Sequence, residues 1–302
     1  MPFFSIILPT YNRTHFLPKA IASVLEQTFE DLELVIVDDG STDNTREIVA
    51  SFMDPRIVYI YQVNQERSVA RNNGIKKATG QYICFLDSDD YFLPEKLSNF
   101  KTAIEQSTED LKTLFYDGLV FEIDNERREV AVPLKDIQET THEFLLQHPI
   151  GPLQVCGAKS IFCKHSFNPQ LRIGEDVELW LRMASDFKFQ GIQSYQTVVL
   201  EHEDRSVNLK KYNAAKEQLK QLDLIFRRYS YEQISTSVRR KMKSDCYFNI
   251  AKHFMMNNMK REAIYMTLKS IFEDLKNIQL KHRIYTLINL LTIRIPQEYK
   301  IE

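Results

Sequence analysis

Short apolar runs alternate with helix-like stretches through the first hundred residues. The apolar, β-branched runs predict strands at Ser5–Leu8, Leu32–Val37, Ile57–Tyr61 and Tyr82–Leu86. Helical stretches between these strands end near Gln27, Phe52 and Ala78. This alternation predicts βαβ units and a parallel sheet. The near-continuous apolar run at Leu32–Val37 indicates a strand that is buried on both faces.

The rest of the chain changes pattern twice. The middle is predicted to hold strands at Leu114–Ile123 and Val198–His202 and a helix after Gly174, which would extend the sheet and shape a second pocket. Beyond Asn208 the pattern is wholly helical. We therefore predict an α/β domain at 1–207 and a helical segment at 208–302. Two apolar faces stand out in that segment: Ile264, Leu268, Ile271 and Leu275 on one, and Ile284, Leu287, Ile288 and Leu291 on the other.

Charge divides the chain at the same place. The 302 residues carry a net charge of −2 and 26% charged side chains, within the ordinary globular range. Residues 1–207 hold 20 Lys and Arg against 32 Asp and Glu, and residues 208–302 hold 19 against 9. The acidic front argues against a nucleic-acid ligand. The basic tail is either a solvated face or a peripheral contact for an anionic membrane leaflet.

Targeting signals are not evident in the sequence. No run approaches the roughly 18 apolar residues that span a bilayer. Phe3–Leu8 lacks the basic flank and the length of a signal peptide. We expect a cytosolic protein, with contact at the inner face of the membrane through the tail as the alternative, and the pattern leaves the oligomeric state open.

Three polar clusters follow predicted strands. In an open parallel sheet, ligands bind outside the carboxyl ends of the strands. Each cluster alone is explained by turn or cap chemistry. Three clusters at one edge of one sheet predict a ligand site. They are Pro9-Thr10-Tyr11-Asn12, Asp38-Asp39-Gly40-Ser41 and Asp87-Ser88-Asp89-Asp90.

Longer motifs around these clusters resemble the inverting family 2 glycosyltransferases. The matching stretches are SIILPTYNR (5–13), LELVIVDDGSTDNT (32–45), ERSVARNNGIKKATGQYICFLDSDD (66–90) with LPEKL after it, and GEDVELWLRMA (174–184). The resemblance covers about residues 3–206 and implies little beyond Asn208. It implies a GT-A fold, which is a Rossmann-like, mostly parallel sheet flanked by helices. It also implies sugar transfer from a nucleotide-sugar, usually a UDP-sugar, to a saccharide or lipid-linked hydroxyl acceptor in surface polysaccharide or glycan synthesis.

The same resemblance implies how the nucleotide is held. The backbone around Pro9, Thr10 and Tyr11 and the side chain of Asp39 would bind the nucleobase. A carboxylate can accept the imide N–H of uracil, and a tyrosine ring can stack on the base. Similar proteins place a cation near the nucleotide, where this chain has Arg71. The alternative for Arg71 is an exposed helix cation.

Asp87-Ser88-Asp89 matches the family's DxD motif, which binds Mn²⁺ or Mg²⁺. A departing diphosphate needs its charge neutralised, and hard carboxylate oxygens suit these ions. Asp89 is the expected metal ligand, and Asp87 is expected to contact the ribose or a metal-bound water. Asp90 either assists or caps the next helix. His202, ahead of Asp204-Arg205-Ser206, resembles a further metal ligand, with a structural strand-end histidine as the alternative.

Transfer with inversion needs a base opposite the leaving diphosphate. The resemblance places this base in the Glu175-Asp176 pair, with Asp176 as the base and Glu175 as the first alternative. Two effects oppose each other here. A helix N-terminus lowers the pKa of an acid and gives it a plain capping role, whereas burial raises the pKa.

Two other functions compete with sugar transfer. A nucleotidyltransferase also pairs a parallel sheet with acidic metal ligands, but it needs a Gly-rich basic loop after the first strand, and PTYNRTHF has no glycine. A catalytically silent nucleotide-sugar-binding or scaffold protein is the second alternative. The intact acids at 87, 89 and 176 argue against it.

Overall fold

The structure, a computed structural model, describes residues 1–124, 126–202, 212–276 and 279–292. The chain divides into two compact units, Met1–His202 and Glu203–Glu302. The predicted boundary at 207/208 and the Asp204-Arg205-Ser206 segment lie outside the described residues. The first unit contains, in order, β1 (Phe4–Thr10), α1 (Leu17–Leu25), β2 (Leu32–Asp38), α2 (Thr45–Ser51), β3 (Ile57–Tyr61), α3 (Glu66–Lys77), β4 (Tyr82–Phe85), β5 (Tyr91–Phe92), α4 (Lys96–Glu105), β6 (Thr113–Tyr116), β7 (Leu119–Ile123), β8 (Glu126–Val130), α5 (Thr141–Gln147), β9 (Val155–Ala158), α6 (Lys159–Lys164), α7 (Glu175–Met183), β10 (Lys188–Gly191) and β11 (Thr197–Leu200).

A seven-stranded sheet forms the core of the first unit. Its strand order is β10-β6-β9-β4-β1-β2-β3, and β4, β1, β2 and β3 run parallel. β9 runs antiparallel to both β4 and β6. Every residue of β1 and β2 is buried, which confirms the burial on both faces predicted for β2. The mixed, mostly parallel α/β class is therefore confirmed, and the four predicted N-terminal strands are present.

A second sheet has the strand order β5-β11-β7-β8. The segment predicted as one strand contributes β6 to the first sheet and β7 to the second. The continuous strand expected at Leu114–Ile123 is wrong, because the chain leaves β6 at Asp117 and enters the other sheet as β7. Asp117 is fully buried and accepts a hydrogen bond from Lys96 Nζ at 2.6 Å. Gly118 lies against Tyr195, where a Cβ would approach the ring to 2.6 Å. A buried ion pair and a close approach therefore end β6, and neither is visible in the hydrophobic pattern.

The second unit is helical where it is described, as predicted. Its described helices are α8 (Tyr212–Arg228), α9 (Thr236–Met256), α10 (Lys260–Glu273) and α11 (Leu280–Thr292). α10 packs against both α9 and α11. In the described part of the chain, no helix combines the length and apolar character needed to cross a membrane.

The buried face of α11 differs from the apolar face in its sequence. Its buried residues are Arg283, Thr286 and Leu290, whereas Ile284 and Ile288 are exposed. The Arg283 guanidinium donates hydrogen bonds to side chains on α9 and to Ser270 Oγ on α10, the latter at 2.7 Å. These bonds satisfy a buried charge and hold the polar side of the helix inward. On α10, Ile271 is buried, but Leu275 lies beyond the helix end and is exposed.

Candidate active site

The three polar clusters meet at one edge of the seven-stranded sheet, as predicted. β2, β1 and β4 are adjacent strands, so their carboxyl ends lie side by side. The Asp39 N–H donates to the Thr10 carbonyl at 2.9 Å, which joins the ends of β2 and β1. The Thr42 N–H donates to Asn12 Oδ1 at 2.8 Å, which joins the loops that follow. The Leu86 N–H donates to the Ile7 carbonyl at 3.0 Å and extends the pairing of β4 with β1.

The two aspartates at the end of β2 have different hydrogen-bond partners. Asp38 accepts the Ser41 N–H at 2.8 Å and the Tyr59 hydroxyl at 2.6 Å, which shapes the turn. Asp39 is also buried, and its Oδ1 accepts from Gln62 Nε2 at 2.6 Å and from the Gln65 N–H at 2.9 Å. Its Oδ2 makes no hydrogen bond to the described part of the chain. Asp39 therefore has one oxygen that could accept a bond from a ligand, and its contact with uracil stays a prediction.

The end of β1 presents one aromatic ring. Pro9 and Thr10 are buried, whereas Tyr11 is about half exposed. Thr10 Oγ1 is buried and has no hydrogen-bond partner among the described residues. The Tyr11 ring is accessible to a ligand, and the contacts of Pro9, Thr10 and Tyr11 with a nucleobase stay predictions.

Arg71 is a buried bridge between two acids. Its side chain is 2% exposed, so the alternative of an exposed helix cation is wrong. Nη2 donates to Asp87 Oδ1 at 2.7 Å, and Nη1 donates to Glu175 Oε1 at 2.8 Å. These two charges outweigh the burial of Arg71 and raise its pKa, so the guanidinium stays charged. Any contact of Arg71 with a nucleotide stays a prediction.

Asp89 and His202 converge beside the DxD loop. His202 Nε2 lies 3.3 Å from Asp89 Oδ2, and Arg13 Nη2 lies 3.8 Å from the same oxygen. The His202 ring stacks on Phe16 with 4.4 Å between centroids, which fixes its plane. Both ring nitrogens of His202 are buried, and neither has a hydrogen-bond partner in the described ranges. An unbonded imidazole beside a carboxylate is the arrangement that a divalent cation would complete.

The sequence left two roles open for Asp90, which were assistance at the metal site and capping of the next helix. Its side chain accepts the Leu200 N–H at 3.0 Å, and its own N–H donates to the Asp87 carbonyl at 3.1 Å. The acid is almost fully buried. Asp90 thus ties the DxD loop to the end of β11, two residues before His202. The sequence carried no signal for this bond, because it depends on how two strands pair.

Asp176 lies in the first turn of α7, which Gly174 begins with φ at 71°. That left-handed backbone favours glycine, which explains the Gly-Glu-Asp order. Burial and the neighbouring Glu175 charge raise the pKa of Asp176 to about 6, although the Val177 N–H bonds its Oδ1 and Arg71 opposes the shift. Burial therefore outweighs the helix N-terminus in the competition that the sequence left unresolved. Glu175 is also buried, but its carboxylate is paired with Arg71.

The residues present fit a divalent cation only in part. Within the described ranges, no group of three or more His, Cys, Asp or Glu side chains is placed to hold a metal ion. Asp89 and His202 would supply two ligands, and the oxygens of a bound diphosphate would have to supply others. Both His202 ring nitrogens are buried without a hydrogen-bond partner among the described residues, which favours this arrangement over a purely structural histidine.

Sequence comparison identifies the family. Residues 5–151 match the glycosyl transferase family 2 model. The chain is 34% identical over 189 residues to the Escherichia coli UDP-Glc:alpha-D-GlcNAc-diphosphoundecaprenol beta-1,3-glucosyltransferase WfgD, covering 62% of this chain and 72% of that protein. It is 27% identical over 304 residues to the Campylobacter jejuni GalNAc(5)-diNAcBac-PP-undecaprenol beta-1,3-glucosyltransferase, covering 98% and 94%. An uncharacterized glycosyltransferase of Rickettsia conorii is 35% identical over 199 residues, but the match spans only 31% of that longer protein.

Solved structures share the fold. Staphylococcus aureus TarS 1–349 superposes with a TM-score of 0.64 at 17% identity, covering 95% of this chain and 88% of that one, and it has also been solved with UDP-GlcNAc. The Pyrobaculum calidifontis mannosyltransferase PcManGT, solved with GDP-Man and Mn²⁺, superposes with a TM-score of 0.60 at 13% identity, covering 96% and 87%. At these identities the likeness concerns the fold, which is GT-A as the sequence predicted.

Proposed function

The chain belongs to glycosyl transferase family 2, and from this premise we propose that it transfers a sugar from a UDP-sugar to a hydroxyl of a lipid-linked saccharide, with inversion. One observation carries the proposal. Arg71 joins the first DxD aspartate to the helix turn that holds Asp176, so the metal motif and the base belong to one connected site. The catalytic domain would be 1–207, and the segment at 208–302 would serve binding.

The sugar donor is assigned from the nucleobase side of the site. Asp39 uses one carboxylate oxygen for Gln62 and Gln65, so the other could accept a uracil imide N–H, and the half-exposed Tyr11 ring could stack on the base. The E. coli relative is named for UDP-Glc, and TarS has been solved with UDP-GlcNAc. A UDP-hexose is therefore the first sugar donor to test.

The acceptor is assigned from the relatives. Both glucosyltransferase relatives are named for saccharides linked through a diphosphate to undecaprenol. The C. jejuni relative matches along nearly the whole of both chains, so it supports an acceptor of the same chemical class. Such an acceptor would place this protein in the assembly of a surface polysaccharide or glycan.

The chemistry is a single displacement. Asp176 takes the proton of the acceptor hydroxyl, whose oxygen forms a bond to the anomeric carbon while the bond to the diphosphate breaks. A carboxyl with its pKa near 6 is ionised at neutral pH, yet is basic enough to share a proton in the transition state. Asp89 and His202 are the residues that would hold Mn²⁺ or Mg²⁺, which neutralises the charge of the leaving UDP. Arg71 holds Asp87 and Glu175 in place through its two ion pairs.

The test is a product analysis with the full chain. UDP-glucose and other UDP-sugars, with GDP- and CDP-sugars as controls, would be offered with an undecaprenyl-diphosphate-linked N-acetylhexosamine. We expect sugar transfer from a UDP-sugar and an anomeric configuration opposite to that of the donor, read by NMR. Retained configuration would contradict the mechanism, and transfer from none of the panel would contradict the function.

The same assay separates the two alternatives. A nucleotidyltransferase would release pyrophosphate from UTP and a sugar phosphate, and a silent binding protein would bind UDP without turnover. The loop after β1 has no glycine to enclose a triphosphate, and Asp176 has a pKa suited to a base. Both facts favour sugar transfer.

A further inference from the structure

α11 exposes several of its large apolar residues and buries two of its polar ones. Ile284, Tyr285 and Ile288 face solvent, with Tyr285 63% exposed. The opposite side, which contains Arg283 and Thr286, is buried. Leu290 is also buried, but the exposed Ile and Tyr side chains depart from the usual arrangement, in which the apolar stripe of a surface helix faces the core. Large apolar side chains grouped on an exposed helix face indicate an interaction surface.

α10 has a similar outward face. Tyr265 and Phe272 are exposed, Phe272 by 73%, and Arg261 and Lys269 are exposed on the same side at helical spacing. Lys269 Nζ lies 5.5 Å from the centroid of the Tyr265 ring, so the cation and the aromatic ring are neighbours on the surface. The outward faces of the two helices therefore combine aromatic rings with basic side chains.

The positive charge of α11 and of the segment around it favours a negatively charged partner. The helix contains no Asp or Glu, and Lys281 is exposed on the same side as Ile284 and Ile288. The surrounding segment, residues 208–302, holds 19 Lys and Arg against 9 Asp and Glu. An apolar face of Ile, Tyr and Phe with Lys and Arg beside it is the composition of helices that lie in the interface of an anionic bilayer.

We propose that the outward faces of α10 and α11 form a docking surface for an anionic lipid leaflet, defined by Tyr265, Phe272, Ile284, Tyr285 and Ile288. The apolar side chains would enter the boundary between headgroups and acyl chains, and the nearby basic residues would bind lipid phosphates. The inference rests on the proposed function in one respect, because a lipid-linked acceptor would itself lie in a membrane. A second copy of the chain fits less well, since pairing two such faces would bring like charges together.

The experiment uses the full chain and vesicles of phosphatidylcholine with or without phosphatidylglycerol, in the absence of nucleotide and acceptor. We expect flotation with the anionic vesicles at low ionic strength. Phe272→Asp and Ile288→Asp should each weaken binding at least about tenfold, because a carboxylate is both repelled and costly to bury there. Ile137→Asp is the matched control, since Ile137 is 98% exposed in the first unit, and it should bind as the unaltered chain does.

A fluorescent reporter gives a second measurement that does not depend on loss of binding. Trp180 is the chain's single tryptophan and is buried in the first unit. Tyr285→Trp adds an exposed indole, whose emission should shift to the blue and be quenched by brominated lipids. Circular dichroism and UDP binding would verify that each variant is folded.

Three results would overturn the docking surface. They are no flotation of the unaltered chain at low ionic strength, equal flotation of the Asp variants, and a dimer in sedimentation that Ile288→Asp dissociates, which would make this face a contact between two copies. Because vesicle binding is measured without turnover, its failure would leave the proposed sugar transfer standing. Failure of sugar transfer would likewise leave the binding result interpretable.

Discussion

Arg71 and Glu175 form a buried ion pair, with 2.8 Å between Nη1 and Oε1. The second guanidinium nitrogen of Arg71 binds Asp87 in the DxD motif. One side chain on α3 therefore links the end of β4 to the first turn of α7, where Asp176 follows Glu175. A change in the charge of Glu175 should therefore change the pKa of Asp176, even though Glu175 is itself paired with Arg71.

The first prediction concerns this coupling. In the proposed mechanism Asp176 acts in its ionised form, so the rate should fall as pH falls through its pKa of about 6. The Glu175 charge contributes to the raised pKa of Asp176, and Glu175→Gln removes it while leaving Arg71 to favour the ionised carboxylate. The acid limb of kcat should therefore move to lower pH, by about one pH unit. Glu178→Gln, one turn along α7 and paired with Arg182, should leave the limb in place. If the acid limb of kcat stays at the same pH in Glu175→Gln, the Glu175 charge does not influence the pKa of the catalytic base.

The second prediction concerns the base itself. Asp176→Asn keeps the shape of the side chain but cannot take the acceptor proton, so kcat should fall by roughly 10²–10⁴-fold. UDP affinity, measured by calorimetry, should stay within about threefold because binding does not use this proton. Asp186→Asn, at an exposed acid beyond the end of α7, is the matched control and should retain normal kcat. Near-normal turnover of Asp176→Asn would move the base to Glu175.

The third prediction concerns the divalent ion. EDTA should abolish turnover, and Mn²⁺ or Mg²⁺ should restore it. His202→Gln removes the imidazole beside Asp89, so the Mn²⁺ concentration for half-maximal rate should rise at least about tenfold. Asp89→Ala should lose both turnover and metal-dependent UDP binding. His15→Gln, at an exposed histidine of the loop after β1, should behave as the unaltered protein. Full activity in chelator would refute the metal assignment.

The fourth prediction concerns recognition of the uracil nucleobase by Asp39. In Asp39→Asn the amide can keep the bonds from Gln62 and Gln65 only by turning its NH₂ toward the ligand, where it would oppose the uracil imide N–H. The loss of a charge-assisted hydrogen bond is worth about 1.5–3 kcal/mol, so UDP affinity should fall at least roughly tenfold. Asp43→Asn, within the same loop and bonded to Thr45, is the control.

A modified ligand tests that contact independently. N3-methyl-UDP lacks the imide N–H, so it should bind the unaltered chain weakly. It should also lose little further affinity for Asp39→Asn, because the contact is already absent. Equal binding of UDP and N3-methyl-UDP to the unaltered chain would show that Asp39 does not read the imide.

The sequence by itself determined the first four strands and the edge of the sheet at which the three polar clusters lie. Apolar, β-branched runs and turn residues placed the first four strands, and the near-continuous apolar run of β2 indicated its burial on both faces. The parallel order then forced the three polar clusters to one edge. The Gly174-Glu175-Asp176 order likewise marked a helix start.

Tertiary structure alone decided which charged groups meet. The bridge from Arg71 to Asp87 and Glu175, the bond from Leu200 to Asp90 and the burial of Arg283 join residues far apart in the chain. A periodic pattern describes only the neighbours along one element, so it carries no information on such pairs. For the same reason, the pattern could identify the apolar face of α11 but not that this face would be turned outward.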